Sequence, residues 1–69
     1  ILCERLRDAI EYSLTERERS VIIRRYGLSD SKPRSQKEVA ESLGISRSYI
    51  SRIEKTAIEK LREALRVKL

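Results

Sequence analysis

A glycine flanked by two short apolar repeats constrains this chain more than any other feature. Two helices that meet near a right angle through a tight turn make demands at set positions. Counting Gln36 as the first residue, the fifth must be small because the helices touch there, and it is Ala40. The ninth must turn with positive φ, which suits glycine, and it is Gly44. The fourth, eighth, tenth, fifteenth and eighteenth must be apolar to seal the corner, and they are Val39, Leu43, Ile45, Ile50 and Ile53. A glycine between apolar helices occurs in any bundle; seven demands met in register do not. Residues 36–55 are therefore predicted to form a helix-turn-helix rather than a plain helical hairpin.

Local start and stop signals divide the rest of the chain. Ser35 and Glu38 have the spacing of a capping box, in which the hydroxyl takes the backbone N–H three residues on and the carboxylate reaches back. Thr15 and Glu18 repeat it, with Leu14 as the apolar staple ahead of them. Gly27 is expected to stop the helix that Thr15 opens, and Gly44 the one that Ser35 opens. Val21, Ile22 and Tyr26 are the expected inner face of the former. Upstream, Leu2, Leu6, Ala9 and Ile10 recur at helical spacing, so roughly residues 2–12 read as a first amphipathic helix. Ser29, Asp30, Ser31 and Pro33 mark residues 28–34 as a surface connection. Ser46 caps a long fourth helix running from Arg47 towards Lys68, with Ile50, Ile53, Ala57, Leu61, Ala64 and Leu65 on one stripe. No segment alternates with period two for long enough to be a strand. The predicted class is all-α: one small four-helix domain over residues 1–69, with a helix-turn-helix and a long C-terminal recognition helix.

Composition narrows the function. Apolar and charged residues each make up 39% of 69 residues, which suits a thin core under a heavily solvated surface. No apolar run exceeds that of Val21-Ile22-Ile23, so no bilayer-spanning segment and no membrane partner is expected. His is absent and Cys3 is single, so structural zinc and Cys/His or Ser/His catalysis lack their usual ligands and bases. No enzyme, metal or cofactor is expected. The chain contains no Met, which points to a piece of a longer protein. Its net charge is +5 and uneven. Residues 1–31 balance Arg5, Arg7, Arg17, Arg19, Arg24 and Arg25 against six acids, so the whole excess lies in residues 32–69. That asymmetry fits a polyanionic partner held by the second half, or a surface tuned for solubility; charge does not separate the two.

With Ile50 and Ile53 inward, the outward residues at the start of the fourth helix are Arg47, Ser48, Ser51, Arg52 and Lys55. No acidic residue lies between Ile45 and Ile53. In a DNA-bound helix-turn-helix the N-terminal end of the second helix enters the major groove. There Arg can donate two hydrogen bonds to guanine O6 and N7, and Ser can pair with several base edges. Arg47 and Arg52 are the expected groove contacts, with ordinary solvation as the alternative. Ser48 and Ser51 serve as base readers or as spacers, Tyr49 reaches phosphate or leans on the core, and Lys55 is placed for phosphate. Glu54 is expected to be structural, paired with a nearby Arg or Lys.

These blocks resemble a family. Leu14-Thr15-Glu16-Arg17-Glu18, Arg25-Tyr26-Gly27-Leu28, Ser35-Gln36-Lys37-Glu38-Val39-Ala40 and the string GISRSYISRIEK, in that order, are similar to domain 4 of bacterial RNA polymerase sigma factors of the sigma-70 family. The likeness runs over about residues 14–65, and the string is most similar to the sporulation-type factors. The resemblance implies a cytoplasmic, nucleoid-associated domain that reads the promoter −35 element in double-stranded DNA as the C-terminal part of a longer factor. It implies the RNA polymerase core as a partner in transcription initiation, and it admits an anti-sigma factor. Carried over by position, Arg47 matches a base-contacting arginine. Ser48 and Arg52 fall where the primary factor has a glutamate and a glutamine that contact bases, so that factor's −35 sequence is not implied here. Ser51 stands where the primary factor has a phosphate-contacting arginine. Arg17 and Arg25 match arginines that hold phosphates, and Ser35 with Gln36 lies at a helix N-terminus suited to phosphate. Leu14, Val21, Ile22 and Tyr26 are the implied candidates for an apolar concavity that grips the flap tip of the polymerase β subunit, with core packing the equal or better reading of each.

Two other classes stay open on the residues alone. One is a response-regulator-like helix-turn-helix, which would dimerise on symmetric half-sites. The other is a helical protein-interaction module that uses the apolar stripe of the fourth helix as a seam. Duplex binding that weakens steeply with salt separates DNA contact from an apolar seam.

Overall fold

The computed structural model describes residues 2–66, and within them four helices and no strand. They are α1 (Leu2–Ser13), α2 (Glu16–Tyr26), α3 (Gln36–Leu43) and α4 (Arg47–Ala64). The predicted caps make the starts. Thr15 Oγ1 accepts from the Glu18 N–H at 3.2 Å, and the Thr15 N–H donates to Glu18 Oε1 at 2.9 Å. Ser35 and Glu38 repeat the exchange at 3.1 and 2.9 Å. Ser46 Oγ accepts from the Tyr49 N–H at 3.1 Å, with no carboxylate in the first turn of α4. Each such cap contributes about 1 kcal/mol.

Both glycine stops are left-handed, Gly27 at φ 63° and Gly44 at φ 69°, but they serve different needs. A Cβ on Gly27 would lie 2.6–2.7 Å from backbone atoms of Lys32 and Pro33, whereas one on Gly44 would meet nothing within 4 Å. Gly27 is tight because the connection folds back over it. The Ser31 N–H donates to the Gly27 carbonyl at 2.9 Å, and the Arg34 N–H to the Arg25 carbonyl at 3.2 Å. Asp30 pins the fold-back by accepting from the Lys32 N–H at 3.0 Å and from Arg34 Nη2 at 2.7 Å. These donors hold the Asp30 carboxyl below its ordinary pKa, the Arg34 hydrogen bond most of all.

The core is divided in two, and α4 belongs to both halves. Val21, Val39, Ala40, Ile50 and Ile53 form one cluster, with Leu43 and Ile45 packed against it. This is the corner predicted for residues 36–55, and Val21, Val39 and Ile50 in it are fully enclosed. Ala9, Ile10, Leu14, Ile22, Ala57 and Leu61 form the second cluster, flanked by Leu6, Ile23, Ile58 and Leu65. Adjacent residues of α2, Val21 and Ile22, thus point into different cores. A salt link reinforces the α2–α4 contact: Lys60 Nζ donates to both oxygens of the buried Glu18 at 2.9 and 3.0 Å. Burial alone would raise the Glu18 pKa, but Lys60 and the Thr15 cap outweigh it and hold the carboxyl below its ordinary value. Among the described residues no helix is long and apolar enough to cross a membrane.

Three expectations need correction. Tyr26 is not part of the inner face of α2; it is 44% exposed. Its position on α4's side is met by a carboxylate rather than an apolar surface, so the ring stays at the rim and only the hydroxyl turns in, towards Glu54 at 2.9 Å. Leu14, Val21 and Ile22 are buried, so they present no surface to a polymerase flap; the two core clusters enclose them. Finally, α4 ends at Ala64. Ala64 is exposed, and Leu65, in the cap, takes the place at the edge of the second cluster. Lys68 and the side chain of Leu2 lie outside the described residues.

Candidate nucleic-acid interface

The N-terminal half of α4 is held from behind by Ile50 and Ile53, and this dictates what faces outward. Arg47, Ser48, Tyr49, Ser51, Arg52 and Lys55 are all exposed. Tyr49, 49% exposed, stands outside the core rather than in it. Among the described residues Arg47, Arg52, Lys55 and, on α2, Arg17 make no ion pair or side-chain hydrogen bond. Arg52 lies five positions along the helix from Arg47, which is about 7.5 Å along the axis. The helix terminus beneath them also keeps its positive end uncompensated, since the first turn of α4 lacks the acids that α2 and α3 carry in theirs. The patch can therefore donate hydrogen bonds and receive negative charge without first breaking an internal contact.

The other predicted contacts are engaged within the protein. Ser35 is committed to its capping box, and Gln36 Nε2 donates to Glu54 Oε1 at 3.0 Å. Arg25 Nη1 donates to the Arg34 carbonyl at 3.0 Å, and its Nε lies 3.3 Å from Glu54 Oε1 as an ion pair without hydrogen-bond geometry. The guanidinium also sits over the Tyr26 ring, 5.5 Å from the centroid. Burial, and then the bond to Glu54, push the Tyr26 hydroxyl above its ordinary pKa. Glu54 was expected to pair with an Arg or Lys and does. The additional partners Tyr26 and Gln36 are 28 and 18 residues away in sequence, beyond any local pattern.

Two further features had no signal in the sequence. Arg19 of α2 closes the end of α1, donating from Nε to the Ile10 carbonyl at 3.2 Å and from Nη2 to those of Glu11 and Leu14 at 2.8 and 3.4 Å. A groove beside it is lined by Leu6, Ile10, Ile23 and Leu28, with Arg7, Glu11 and Arg19 at its rim. Leu28, 48% exposed, is its most open apolar residue. Apolar periodicity marks such residues without telling which remain uncovered.

Comparison with known proteins gives one family. Residues 12–63 match the family described as Sigma-70, region 4. The chain is 50% identical over 58 residues to an RNA polymerase sigma-28 factor of Bacillus thuringiensis subsp. kurstaki, covering 84% of this chain and 24% of that protein. It is 54% identical over 48 residues to the RNA polymerase sigma-K factor of Bacillus subtilis (strain 168), covering 70% and 16%. Against the RNA polymerase sigma factor SigA of a Bacillus species the identity is 41% over 68 residues, covering 99% and 18%. The chain thus spans a quarter or less of the length of these relatives. The helix-turn-helix lies within the matched residues, and the chain belongs to the sigma-70 family, of which it forms region 4.

Proposed function

We propose that this chain reads the −35 element of promoters, as the non-catalytic C-terminal domain of a bacterial sigma factor of the sporulation type. One observation carries the reading: the exposed start of α4 presents Arg47 and Arg52, unpaired among the described residues, above a helix terminus with no acid in its first turn. α4 lies in the major groove with Arg47 and Arg52 on bases about two steps apart, given their separation of about 7.5 Å and a duplex rise of about 3.4 Å. Ser48 and Ser51 line the same strip, while Arg17, Tyr49 and Lys55 meet phosphates on either side. Ser35 and Gln36 bring the N-terminal end of α3 to the backbone, while Arg25, paired with Glu54 and bonded to the Arg34 carbonyl, is held back from it. The test is selection of duplexes from a randomised library, then titration of the recovered duplex at several salt concentrations. Enrichment of one sequence, with affinity falling steeply in salt, is expected. Recovery of no preferred sequence, or salt-indifferent binding, would refute the reading.

The groove of Leu6, Ile10, Ile23 and Leu28 favours a second contact, with the RNA polymerase core. The apolar tip of the β-subunit flap docks there rather than on the buried Leu14, Val21 and Ile22, and an anti-sigma factor competes for the same place. Leu28→Glu should abolish capture of the chain by a flap fragment and leave duplex binding intact; unchanged capture would remove the assignment.

A further inference from the structure

One carboxylate on the recognition helix gathers groups from both other elements of the DNA-facing side. Glu54 lies on α4, seven residues beyond Arg47, and is only 8% exposed. Its Oε2 accepts from Tyr26 Oη at 2.9 Å, from the last residue of α2. Its Oε1 accepts from Gln36 Nε2 at 3.0 Å, from the first residue of α3, and faces Arg25 Nε at 3.3 Å. Arg25 in turn holds the Arg34 carbonyl, the residue before the Ser35 cap. The corner cluster behind α4 is apolar and non-directional, so it resists separation of the helices better than rotation of one about its own axis. Hydrogen bonds have preferred directions, and two of them, with the Arg25 ion pair beside them, converge on one point of α4 from two sides.

We infer that Glu54 is a positioning residue for sequence discrimination: it fixes the rotation of α4 relative to the ends of α2 and α3, and so the bases that Arg47 and Arg52 address. It touches no DNA itself, and it pairs the charge of Arg25 so that this cation adds little to sequence-blind attraction. Removing the negative charge at position 54 therefore has two consequences. α4 gains rotational freedom, which weakens the cognate site, and Arg25 gains a free charge, which strengthens every site. Both lower the ratio of cognate to scrambled affinity.

That ratio is the diagnostic quantity, because a change that merely unfolds part of the sample weakens all duplexes by one factor and leaves the ratio alone. The inference rests on the −35 reading above, and the experiment separates the two. The wild-type chain and Glu54→Gln are titrated against the duplex that the wild type selects and a scrambled duplex, over a series of salt concentrations. The ratio is expected to fall about tenfold or more in Glu54→Gln, with the salt slope on the scrambled duplex steeper by about one. Tyr26→Phe, which removes one hydroxyl from a half-exposed ring and leaves the ion pair, should lower the ratio less and leave the slope unchanged. A wild type that does not discriminate overturns the −35 reading and this role with it. A discriminating wild type whose ratio is unchanged in both variants overturns the positioning role alone. Should Glu54→Gln fail to fold, Tyr26→Phe decides: an unchanged ratio there refutes the convergence as a source of specificity.

Discussion

The two left-handed glycines give a test in which the same substitution has two different costs. An alanine at Gly44 must adopt positive φ but finds open space, nothing lying within 4 Å of its Cβ. The left-handed conformation costs about 1–2 kcal/mol for a residue with a Cβ. An alanine at Gly27 bears that cost and also meets backbone atoms of Lys32 and Pro33 at 2.6–2.7 Å. Those atoms belong to a fold-back pinned by Asp30, Arg34 and the Ser31 N–H, so relief requires moving a hydrogen-bonded segment. Such overpacking adds about 1–3 kcal/mol, for a total of about 2–5 kcal/mol. A domain of this length has roughly 3–10 kcal/mol of stability, so Gly27→Ala approaches global unfolding while Gly44→Ala does not. At about 4–8 °C per kcal/mol for a chain of this size, Gly44→Ala should lower the Tm by roughly 4–16 °C and Gly27→Ala by clearly more. Asparagine sharpens the contrast because it tolerates the left-handed region. Gly44→Asn should recover most of the loss, whereas Gly27→Asn should recover none, since room is lacking as well as conformation. Thermal and urea unfolding followed by circular dichroism at 222 nm measure all four variants. Equal losses at the two positions, or rescue by asparagine at position 27, would show that the fold-back is not the constraint described here.

Loss of Arg47 by Arg47→Ala should cost roughly 1–3 kcal/mol on the selected duplex and relax one base position. Arg17→Ala should weaken all duplexes alike and reduce the salt slope by about one, so two sequence-blind losses would make Arg47 a charge contact only. Arg52→Gln exchanges a guanine-preferring fork for a group that pairs with adenine; repeated library selection should return a consensus altered about two positions from the Arg47 base, and an identical consensus would assign Arg52 to the backbone. The carboxyls of Glu18 and Glu38 sit below their ordinary value in the folded chain. Their contribution is therefore complete above the unfolded glutamate pKa of about 4.3 and is lost as the pH falls through the lower folded value. Urea midpoints should hold steady from pH 7 to about 5 and drop below that, and Lys60→Met should flatten the acid limb by removing the main partner of Glu18.

The local parts of this fold were legible and the long-range parts were not, for physical reasons that individual residues show. Thr15, Ser35 and Ser46 act on N–H groups three residues away, and Gly27 and Gly44 on their own φ, so a short window of sequence contains the whole cause. The corner residues from Val39 to Ile53 were readable because a close contact between two helices joined by a tight turn imposes fixed spacing. Tyr26 misled because period places it with Val21 and Ile22, while its actual environment is set by Glu54, far along the chain. Leu14, Val21 and Ile22 admit two readings, since apolar character suits a surface groove and a core equally until neighbours decide, and their burial selects the core. Arg19 looks like any helix-surface cation, and only the folded chain reveals that it terminates α1. Of the candidate site, the exposure of Arg47 and Arg52 follows from the face left over when Ile50 and Ile53 turn in, whereas the engagement of Arg25 and Gln36 depends on the Glu54 carboxylate.

That α4 runs unbroken through two separate cores makes it a lever as well as a probe. Its 18 residues extend about 27 Å, with Ile50 and Ile53 gripped at one end and Ala57 and Leu61 at the other. A tilt of about 7° about the far end sweeps the near end through some 3.3 Å, close to one duplex step of about 3.4 Å. Because no break interrupts the rod, a displacement where α1 meets α4 and one at the start of α4 are parts of the same motion.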